Sequence, residues 1–373
     1  MSPPGQTCLI SMKSGRSSAG AIVIGIVLAC SALADPRPAA ATTLPWYAPA
    51  TVSVVKDPIT FSNQGATLHG TAYIPNIGKK VPAIVVFQGA SEPLASTPLY
   101  EHLSAGLPQI GVAVLLFDRR GAGASTGNPN VSYATLSDDG IAGARVVRSL
   151  PNIDPNRVGY WGISQGGWLA TFAASRDPQA AFAVAVSAPL VTAESQMEFA
   201  MSNQLSTLGY TQADIDAMLE ARYKLDGYFN GRNSRADAVA ALRTIQDKPW
   251  FKLMYLPKAD AVPVSPEDSV WRKQMDLDSL SAVLRVKVPI LFILGDADPW
   301  IPVSRTVALL ATASQKNALL SYAVVPNANH LMMTPPAHEQ MTDASPAALA
   351  VEQPEAAAYF MILAAWLERH VFP

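Results

Sequence analysis

A serine between two glycines is the residue of this chain whose surroundings best fit a chemical role. The segment Gly162-Ile163-Ser164-Gln165-Gly166 follows an apolar run short enough for a buried strand, and an apolar helical pattern begins soon after it. This order of strand, Gly-x-Ser-x-Gly and helix is typical of a nucleophile held on a sharp turn. The glycines are needed because so tight a backbone turn leaves no space for bulky neighbours. A Gly-rich turn that merely contains a serine fits the same five residues, so the assignment depends on the rest of the chain.

A serine hydroxyl needs a histidine and a carboxylate before it attacks a carbonyl carbon. The histidine accepts the hydroxyl proton, and the carboxylate orients the imidazole and stabilises the imidazolium. His330 follows the last predicted core strand, and Asp298 follows the strand before it. Asp296 is the alternative carboxylate, although an aspartate at this place can also simply cap the turn after the strand. His338 is the alternative histidine. Because ligand sites of open α/β sheets lie at the carboxyl ends of the strands, Ser164, Asp298 and His330 are predicted to meet there as the catalytic residues.

The oxyanion formed by this attack needs two N–H donors. The first is predicted to be the backbone N–H of Gln165, at the N-terminus of the following helix, where the helix dipole favours negative charge. The second is predicted to be the backbone N–H of Ala90, in the loop that follows the apolar strand ending at Phe87. For Gln88-Gly89-Ala90, an ordinary strand-ending turn is the alternative interpretation.

Strands and helices alternate along most of the chain. Continuous apolar runs, as found in strands buried on both faces of a parallel sheet, alternate with segments of helical periodicity. The apolar runs are residues 82–87, 112–117, 157–161, 181–187, 289–294 and 320–325, with a helix predicted over 99–107. Before them, residues 52–55, 59–62 and 67–74 are predicted to form an antiparallel meander in which Asp57-Pro58 separates the first two strands. The pattern predicts an α/β fold with a mostly parallel central sheet flanked by helices.

One segment interrupts this alternation. From about residue 194 to 284 there is no clear strand, aromatic residues are frequent, and residues 197–208, 212–229 and 235–245 have helical patterns. We interpret this segment as a helical cap inserted into a domain that spans residues 51–373. An apolar and aromatic cap over the sheet is expected to shape an acyl pocket.

The first fifty residues have the pattern of an export signal. Lys13 and Arg16 precede an apolar stretch that ends at Ala32-Leu33-Ala34, which predicts a signal peptide over residues 1–34 and a linker rich in Ala, Pro and Thr over 35–50. A periplasmic or extracellular protein is therefore expected. One alternative is a lipid anchor on Cys30, because Val27-Leu28-Ala29-Cys30 resembles a lipobox; the protein would then be an outer-membrane lipoprotein. The other alternative is an uncleaved transmembrane anchor.

Composition argues against several classes of function. The formal net charge of −2 over 373 residues is unlike the basic surface of a nucleic-acid-binding protein. Both cysteines, Cys8 and Cys30, lie near the N-terminus, and the five histidines lack the spacing of metal ligands. We therefore expect no metal and no nucleic-acid partner, and the serine chemistry considered above implies no cofactor.

Several motifs are shared with a known family. They are residues 68–71 (Leu-His-Gly-Thr), residues 117–125, residues 162–167, Gly295-x-x-Asp298-x-x-Ile301-Pro302 and Asn329-His330. From about Ile59 onward the chain resembles the α/β-hydrolase superfamily, and most closely exported bacterial esterases related to the prolyl-oligopeptidase and dienelactone-hydrolase branches.

The resemblance has three consequences for the site. It implies that Asp298 is the acid, because the family's acid stands three positions after the glycine. It implies that residues 118–125 are a structural loop, so Asp118 and Arg119 receive no catalytic role. Many relatives have His-Gly where this chain has Gln88-Gly89. Because the oxyanion donor is a backbone group, activity is expected to survive this difference.

The expected function is that of an exported serine hydrolase, most specifically a carboxylesterase. It would form an acyl-enzyme on Ser164 with a small-molecule ester. Its mature form is expected to have no membrane span. A peptidase, an acyltransferase or a thioesterase with the same triad is the alternative. An aminopeptidase would need a carboxylate for the substrate amine, which Glu92 or Glu194 could supply. A non-catalytic binding protein on this fold is the alternative from a different class.

Overall fold

An eight-stranded sheet forms the centre of the computed structural model, which describes residues 50–90, 94–334 and 354–372. The strands are β1 (Val54–Asn63), β2 (Ala66–Pro75), β3 (Val81–Phe87), β4 (Ala113–Phe117), β5 (Ile153–Ile163), β6 (Ala183–Val186), β7 (Ile290–Gly295) and β8 (Leu320–Val325). Their order in the sheet is β1-β2-β4-β3-β5-β6-β7-β8. The pairs β1–β2 and β2–β4 are antiparallel, and all other neighbours are parallel. This mostly parallel sheet confirms the predicted fold class.

Helices cover both faces of the sheet. In chain order, the α-helices of the described ranges are α1 (Tyr133–Ser149), α2 (Gln165–Arg176), α3 (Ala193–Thr207), α4 (Gln212–Phe229), α5 (Arg235–Ile245), α6 (Ser279–Arg285), α7 (Val303–Ser314) and α8 (Ala357–His370). Helices α3, α4 and α5 belong to a separate layer described below. Successive residues of β3 belong to opposite layers: Val85 lies in the cluster that includes α1 and α2, whereas Ile84 and Val86 lie in the cluster that includes α8. Burial on both faces explains why this run is apolar without alternation.

Two local predictions are wrong. The edge strand β1 is continuous through Asp57-Pro58, and Pro58 is paired with Thr71. An edge strand tolerates proline because one side of its backbone has no neighbouring strand to bond. The helix predicted over 99–107 is instead a succession of 3₁₀ and π-helical turns from Pro98 to Ile110. Pro108 lacks an N–H, and in a regular α-helix its ring would clash with the carbonyl four residues earlier, at Ser104, so it disrupts the last turns of the predicted helix.

Three of the helices between β6 and β7 form a layer with a core of its own. Helices α3, α4 and α5 pack around buried residues that include Leu205, Met218 and Trp250. Reciprocal side-chain caps begin α4 at Thr211 and α5 at Ser234. Helix α6 packs against α2 and contributes to the sheet core instead. We therefore use the name cap for residues 193–278.

The N-terminal predictions lie outside this description. The signal peptide over 1–34, nearly all of the linker over 35–50, and Cys30 all fall among residues that the structure does not describe, and these predictions stay predictions. Within the described ranges, none of the helices combines the length and the apolar character needed to cross a lipid bilayer.

His102 is buried between the irregular turns and α8. Its Nδ1 lies 2.7 Å from the carbonyl oxygen of Leu99, and its Nε2 lies 2.9 Å from the hydroxyl of Tyr359. A neutral imidazole satisfies both partners when Nδ1–H donates to the carbonyl and Nε2 accepts from the hydroxyl. Burial lowers the pKa of His102 to about 3, although the bond to Leu99 opposes the shift. This histidine therefore serves packing.

We expect His102 to make the protein less stable as the pH falls from about 6.5 toward about 3. Over that range the unfolded chain binds a proton on this side chain, whereas the folded protein keeps it neutral, so protonation favours unfolding. The slope of the unfolding free energy against pH gives the number of protons taken up on unfolding, and in His102→Gln this number should fall by up to about one. Urea unfolding at a series of pH values measures it. Identical slopes in the two proteins would contradict the assignment.

Candidate active site

Ser164 occupies the junction of β5 and α2 in a strained backbone conformation. Its dihedral angles are φ 55° and ψ −123°, a region that residues other than glycine rarely adopt. The Ser164 N–H donates to the carbonyl of Val186 on β6 at 2.8 Å, and its own carbonyl accepts from the Gly167 N–H at 2.9 Å. The sharp turn predicted from Gly-x-Ser-x-Gly is therefore present.

The two flanking glycines are required by close backbone contacts. A Cβ on Gly162 would lie 1.9 Å from the carbonyl oxygen of Gly166. A Cβ on Gly166 would lie 2.1 Å from the carbonyl oxygen of Phe87, at the end of β3. No side-chain rotation relieves a clash with backbone atoms. The spacing of the motif thus reflects how tightly the turn packs on itself and on β3.

Asp298 and His330 meet at the ends of β7 and β8. His330 Nδ1 lies 2.7 Å from Asp298 Oδ2, and Asp298 Oδ1 accepts from the Trp300 N–H at 2.8 Å. The carboxylate is completely buried, whereas the His330 side chain is 15% exposed. A buried carboxylate bound to Nδ1–H holds the imidazole in the tautomer that exchanges a proton at Nε2.

The alternative site residues have other positions. Asp296 Oδ1 accepts from the Asn327 N–H at 2.6 Å and so fixes the turn after β8. Glu194 lies on α3, 3.4 Å from Arg232, and does not line the cavity described below. His338 and Glu92 lie outside the described residues. Among the described residues, no group of three or more His, Cys, Asp or Glu side chains is placed to hold a metal ion.

A cavity of about 750 Å³ lies at this edge of the sheet. Four predicted site residues line it, namely Ser164, Gln165, Ala90 and His330. The cap contributes a largely apolar wall that includes Met197, Leu225, Phe229, Tyr255 and Trp271. Apart from Asp298, which is buried behind His330, every residue assigned a catalytic or oxyanion role therefore faces one space large enough for a small organic substrate.

Arg119 joins the two segments that carry the predicted oxyanion donors. One Nη donates to Gln165 Oε1 at 2.8 Å, and the other donates to the carbonyls of Gln88 at 2.6 Å and Gly89 at 3.0 Å. One guanidinium thus holds the loop before Ala90 against the residue that follows Ser164. The motif placed Arg119 in a structural loop at the end of β4, but nothing in the sequence indicated where its guanidinium reaches.

The loop that carries Ala90 has further anchors. The side-chain amide of Gln88 donates to the carbonyl of Phe117 at the end of β4, and the Gly89 N–H donates to the Tyr100 hydroxyl at 2.9 Å. The Gln88 side chain thus ties the β3 loop to the neighbouring strand. Together, these two contacts anchor the loop immediately before Ala90.

Replacing Gly166 with alanine should displace the turn. We expect Gly166→Ala to lower turnover by about 10²-fold, because the added methyl must push either the turn or β3 aside and misplace the Ser164 hydroxyl. Gly106→Ala is the control, since a Cβ there meets no atom within 4 Å. Steady-state ester hydrolysis and thermal unfolding of both variants measure the effect. Unchanged turnover in Gly166→Ala would show that the turn tolerates a side chain.

Replacing Arg119 with lysine should loosen the oxyanion donors. A lysine ammonium is a compact donor without the planar fork that reaches both segments, so we expect kcat to fall while KM changes little. The largest expected fall in kcat is that caused by losing one oxyanion donor, about 10²- to 10³-fold. Arg157→Lys is the control, because Arg157 pairs with Asp154 at the opposite end of β5. A rise in KM with unchanged kcat would instead make Arg119 a substrate-binding residue.

Comparisons with known proteins agree with this geometry. A model of the alpha/beta hydrolase family matches residues 68–344. The thiohydrolase apmlB of Arthrinium phaeospermum is 32% identical over 124 residues, which are 33% of this chain and 39% of that protein. The polyketide transferase claH of Penicillium crustosum is 29% identical over 113 residues, 30% of this chain and 36% of that protein. The matches thus span less than half the length of these curated relatives.

A solved structure shows the same fold. An esterase of Pyrococcus furiosus superposes with a TM-score of 0.51 at 14% identity, covering 85% of this chain and 92% of that one. The predicted superfamily is confirmed, whereas the narrower resemblance to exported esterases stays a prediction. Because the family model spans well over half of the sequence and the sheet has the expected topology, the chain belongs to the α/β-hydrolase family.

Proposed function

We propose that this protein is a serine hydrolase that cleaves carboxylic esters through an acyl-enzyme on Ser164. The observation that carries the proposal is that His330, 2.7 Å from the buried carboxylate of Asp298, shares one cavity with a serine on a strained turn. Neither feature serves packing alone, because a buried carboxylate is costly and a strained serine is rarely retained without a role.

The proposed first half-reaction uses these residues in turn. His330 accepts the proton of the Ser164 hydroxyl as the oxygen attacks the ester carbonyl. The tetrahedral oxyanion accepts hydrogen bonds from the backbone N–H groups of Gln165 and Ala90. His330 then gives its proton to the leaving alcohol, while Asp298 stabilises the imidazolium throughout. The products are the free alcohol and an acyl group bound to Ser164.

Water completes the proposed cycle. His330 takes a proton from a water molecule, which attacks the acyl carbon, and the same two N–H groups stabilise the second oxyanion. Collapse of this intermediate releases the acid and returns the proton to Ser164. The apolar wall supplied by the cap would hold the hydrocarbon part of the substrate during both steps.

Thioester cleavage and acyl transfer form a second candidate. Relatives that match part of the chain are named a thiohydrolase and a polyketide transferase. The same acyl-enzyme would form from a thioester, with a thiol as the leaving group. The acyl group would then pass to water or to an alcohol acceptor. The chemistry on Ser164 is identical, so the candidates differ only in leaving group and acceptor.

Substitution of Ser164 tests the proposal directly. A fluorophosphonate probe should label the wild-type protein and leave Ser164→Ala unlabelled, and ester hydrolysis should fall by at least about 10³-fold. Ser206→Ala is the control, because Ser206 is exposed on the cap. Nitrophenyl esters, acyl thioesters and aminoacyl-nitroanilides are compared in parallel. Persistent labelling of Ser164→Ala would disprove the nucleophile, and faster cleavage of the anilides would replace the esterase by a peptidase.

A further inference from the structure

A buried ion pair forms part of the cavity wall, on helix α4 of the cap. Arg222 Nε lies 3.5 Å from Asp226 Oδ2, one helical turn away. The two residues are 3% and 1% exposed, and both line the cavity that Ser164 and His330 line. Their neighbours in the wall include the apolar side chains of Leu225 and Phe229. Charged groups in such surroundings need partners to offset their loss of hydration.

The hydrogen bonds of this pair are incomplete. Asp226 Oδ1 accepts from the indole N–H of Trp271 at 2.7 Å, and the Arg222 guanidinium lies over the same ring, 5.1 Å from its centre. Trp271 therefore fixes both side chains. Among the described residues, however, Arg222 Nε and Nη1 and Asp226 Oδ2 have no hydrogen-bond partner. Unsatisfied buried polar atoms are rare enough to require an explanation, and here the two residues that carry them line a substrate-sized cavity.

The charges around the pair disfavour an anionic partner, and its missing hydrogen bonds disfavour a cationic one. Burial raises the pKa of Asp226 to about 6 and lowers that of Arg222, while each charge favours the ionised form of the other. The pair is thus a cation beside an anion, and the carboxylates of Glu198 and Glu194 also act on both. An incoming carboxylate would be attracted by Arg222 but repelled by Asp226, Glu198 and Glu194. An incoming ammonium has no acceptor, so it would leave the guanidinium N–H groups without a partner.

A hydroxyl group matches what the pair lacks. Its oxygen accepts a hydrogen bond from the guanidinium, and its proton is donated to the carboxylate oxygen. A carbonyl oxygen satisfies Arg222 alone, and an alkyl chain satisfies neither residue. A hydroxyl is also far less costly to desolvate than an ion. Of these four kinds of group, only the hydroxyl completes both partners without adding charge.

We propose that Arg222 and Asp226 form a polar subsite for a hydroxyl group that the substrate carries away from its ester carbonyl. The preferred substrates are then hydroxylated esters, whose carbon chain lies along the apolar wall and whose hydroxyl binds the pair. This substrate class rests on the proposed function, since it concerns the same cavity. Sites built to bind a hydroxyl discriminate strongly against analogues that lack it, because their own polar groups are then left unpaired.

Binding to the inactive Ser164→Ala protein tests the subsite without catalysis. Calorimetry compares methyl esters of medium-length hydroxy acids, with the hydroxyl at successive carbons, with their deoxy parents. We expect at least one hydroxyl position to bind about 10- to 100-fold more tightly than its parent. Adding Arg222→Met and Asp226→Asn should abolish that preference and leave binding of the parent within a few-fold, because the asparagine oxygen still accepts from Trp271.

A matched control and distinct outcomes complete the experiment. Arg232→Met removes a neighbouring arginine that is half exposed and does not line the cavity, and it should keep the preference. The proposal is overturned if no hydroxyl position binds more tightly than its parent, if the preference survives the double substitution, or if a carboxylate at the same position binds best. Fluorophosphonate labelling of the protein with an intact Ser164 reports separately on the nucleophile, so either hypothesis can fail alone.

Discussion

The strained backbone of Ser164 is the constraint on which the rest of the site depends. Holding a non-glycine residue at φ 55° and ψ −123° costs on the order of 1–3 kcal/mol, so the surrounding structure must over-determine it. It does so from both sides, because Ser164 bonds to Val186 on β6, and Gly166 packs directly on the backbone of Phe87 at the end of β3. The turn is held by the sheet, and its hydroxyl is positioned before any substrate binds.

The order of the strands then distributes the chemistry around this serine. Strand β5 has β3 and β4 on one side and β6, β7 and β8 on the other. Ala90 and Arg119 follow the first pair, so the predicted donor Ala90 and the guanidinium that holds its loop lie on one side of the turn. Asp298 and His330 follow β7 and β8, so the acid–base pair lies on the other side. A parallel sheet thus separates the two halves of the proposed mechanism by topology alone.

The cap is connected to the catalytic loop as well as to the substrate cavity. From α3, Gln196 Nε2 donates to the carbonyl of Trp300 at 2.8 Å, and Asn203 Nδ2 donates to that of Pro299 at 3.0 Å. The Trp300 ring lies 6.4 Å from that of His330. The loop that presents Asp298 is therefore supported partly by the cap. Changes in how the cap packs would therefore alter the support of the Asp298–His330 pair.

Motifs and apolar periodicity were enough to predict the sheet, the nucleophile turn and the chain order of Ser164, Asp298 and His330. These signals are local, since a strand, a turn or a helix start depends on residues close together in sequence. Local signals also led to the error at Asp57-Pro58, because the sequence does not reveal that β1 lies at the edge of the sheet, where proline is tolerated.

The tertiary structure alone decided which side chains meet across long separations. Arg119 reaches Gln165 over 46 residues, and Trp271 reaches Asp226 over 45. Such contacts leave no periodicity and no spacing in the sequence, because they are set by how helices and loops pack over the sheet. The same holds for the composition of the cavity. The sequence shows that the cap is helical and apolar. It does not show that Arg222 and Asp226 are buried in the cavity wall, because that depends on how α4 packs over the site.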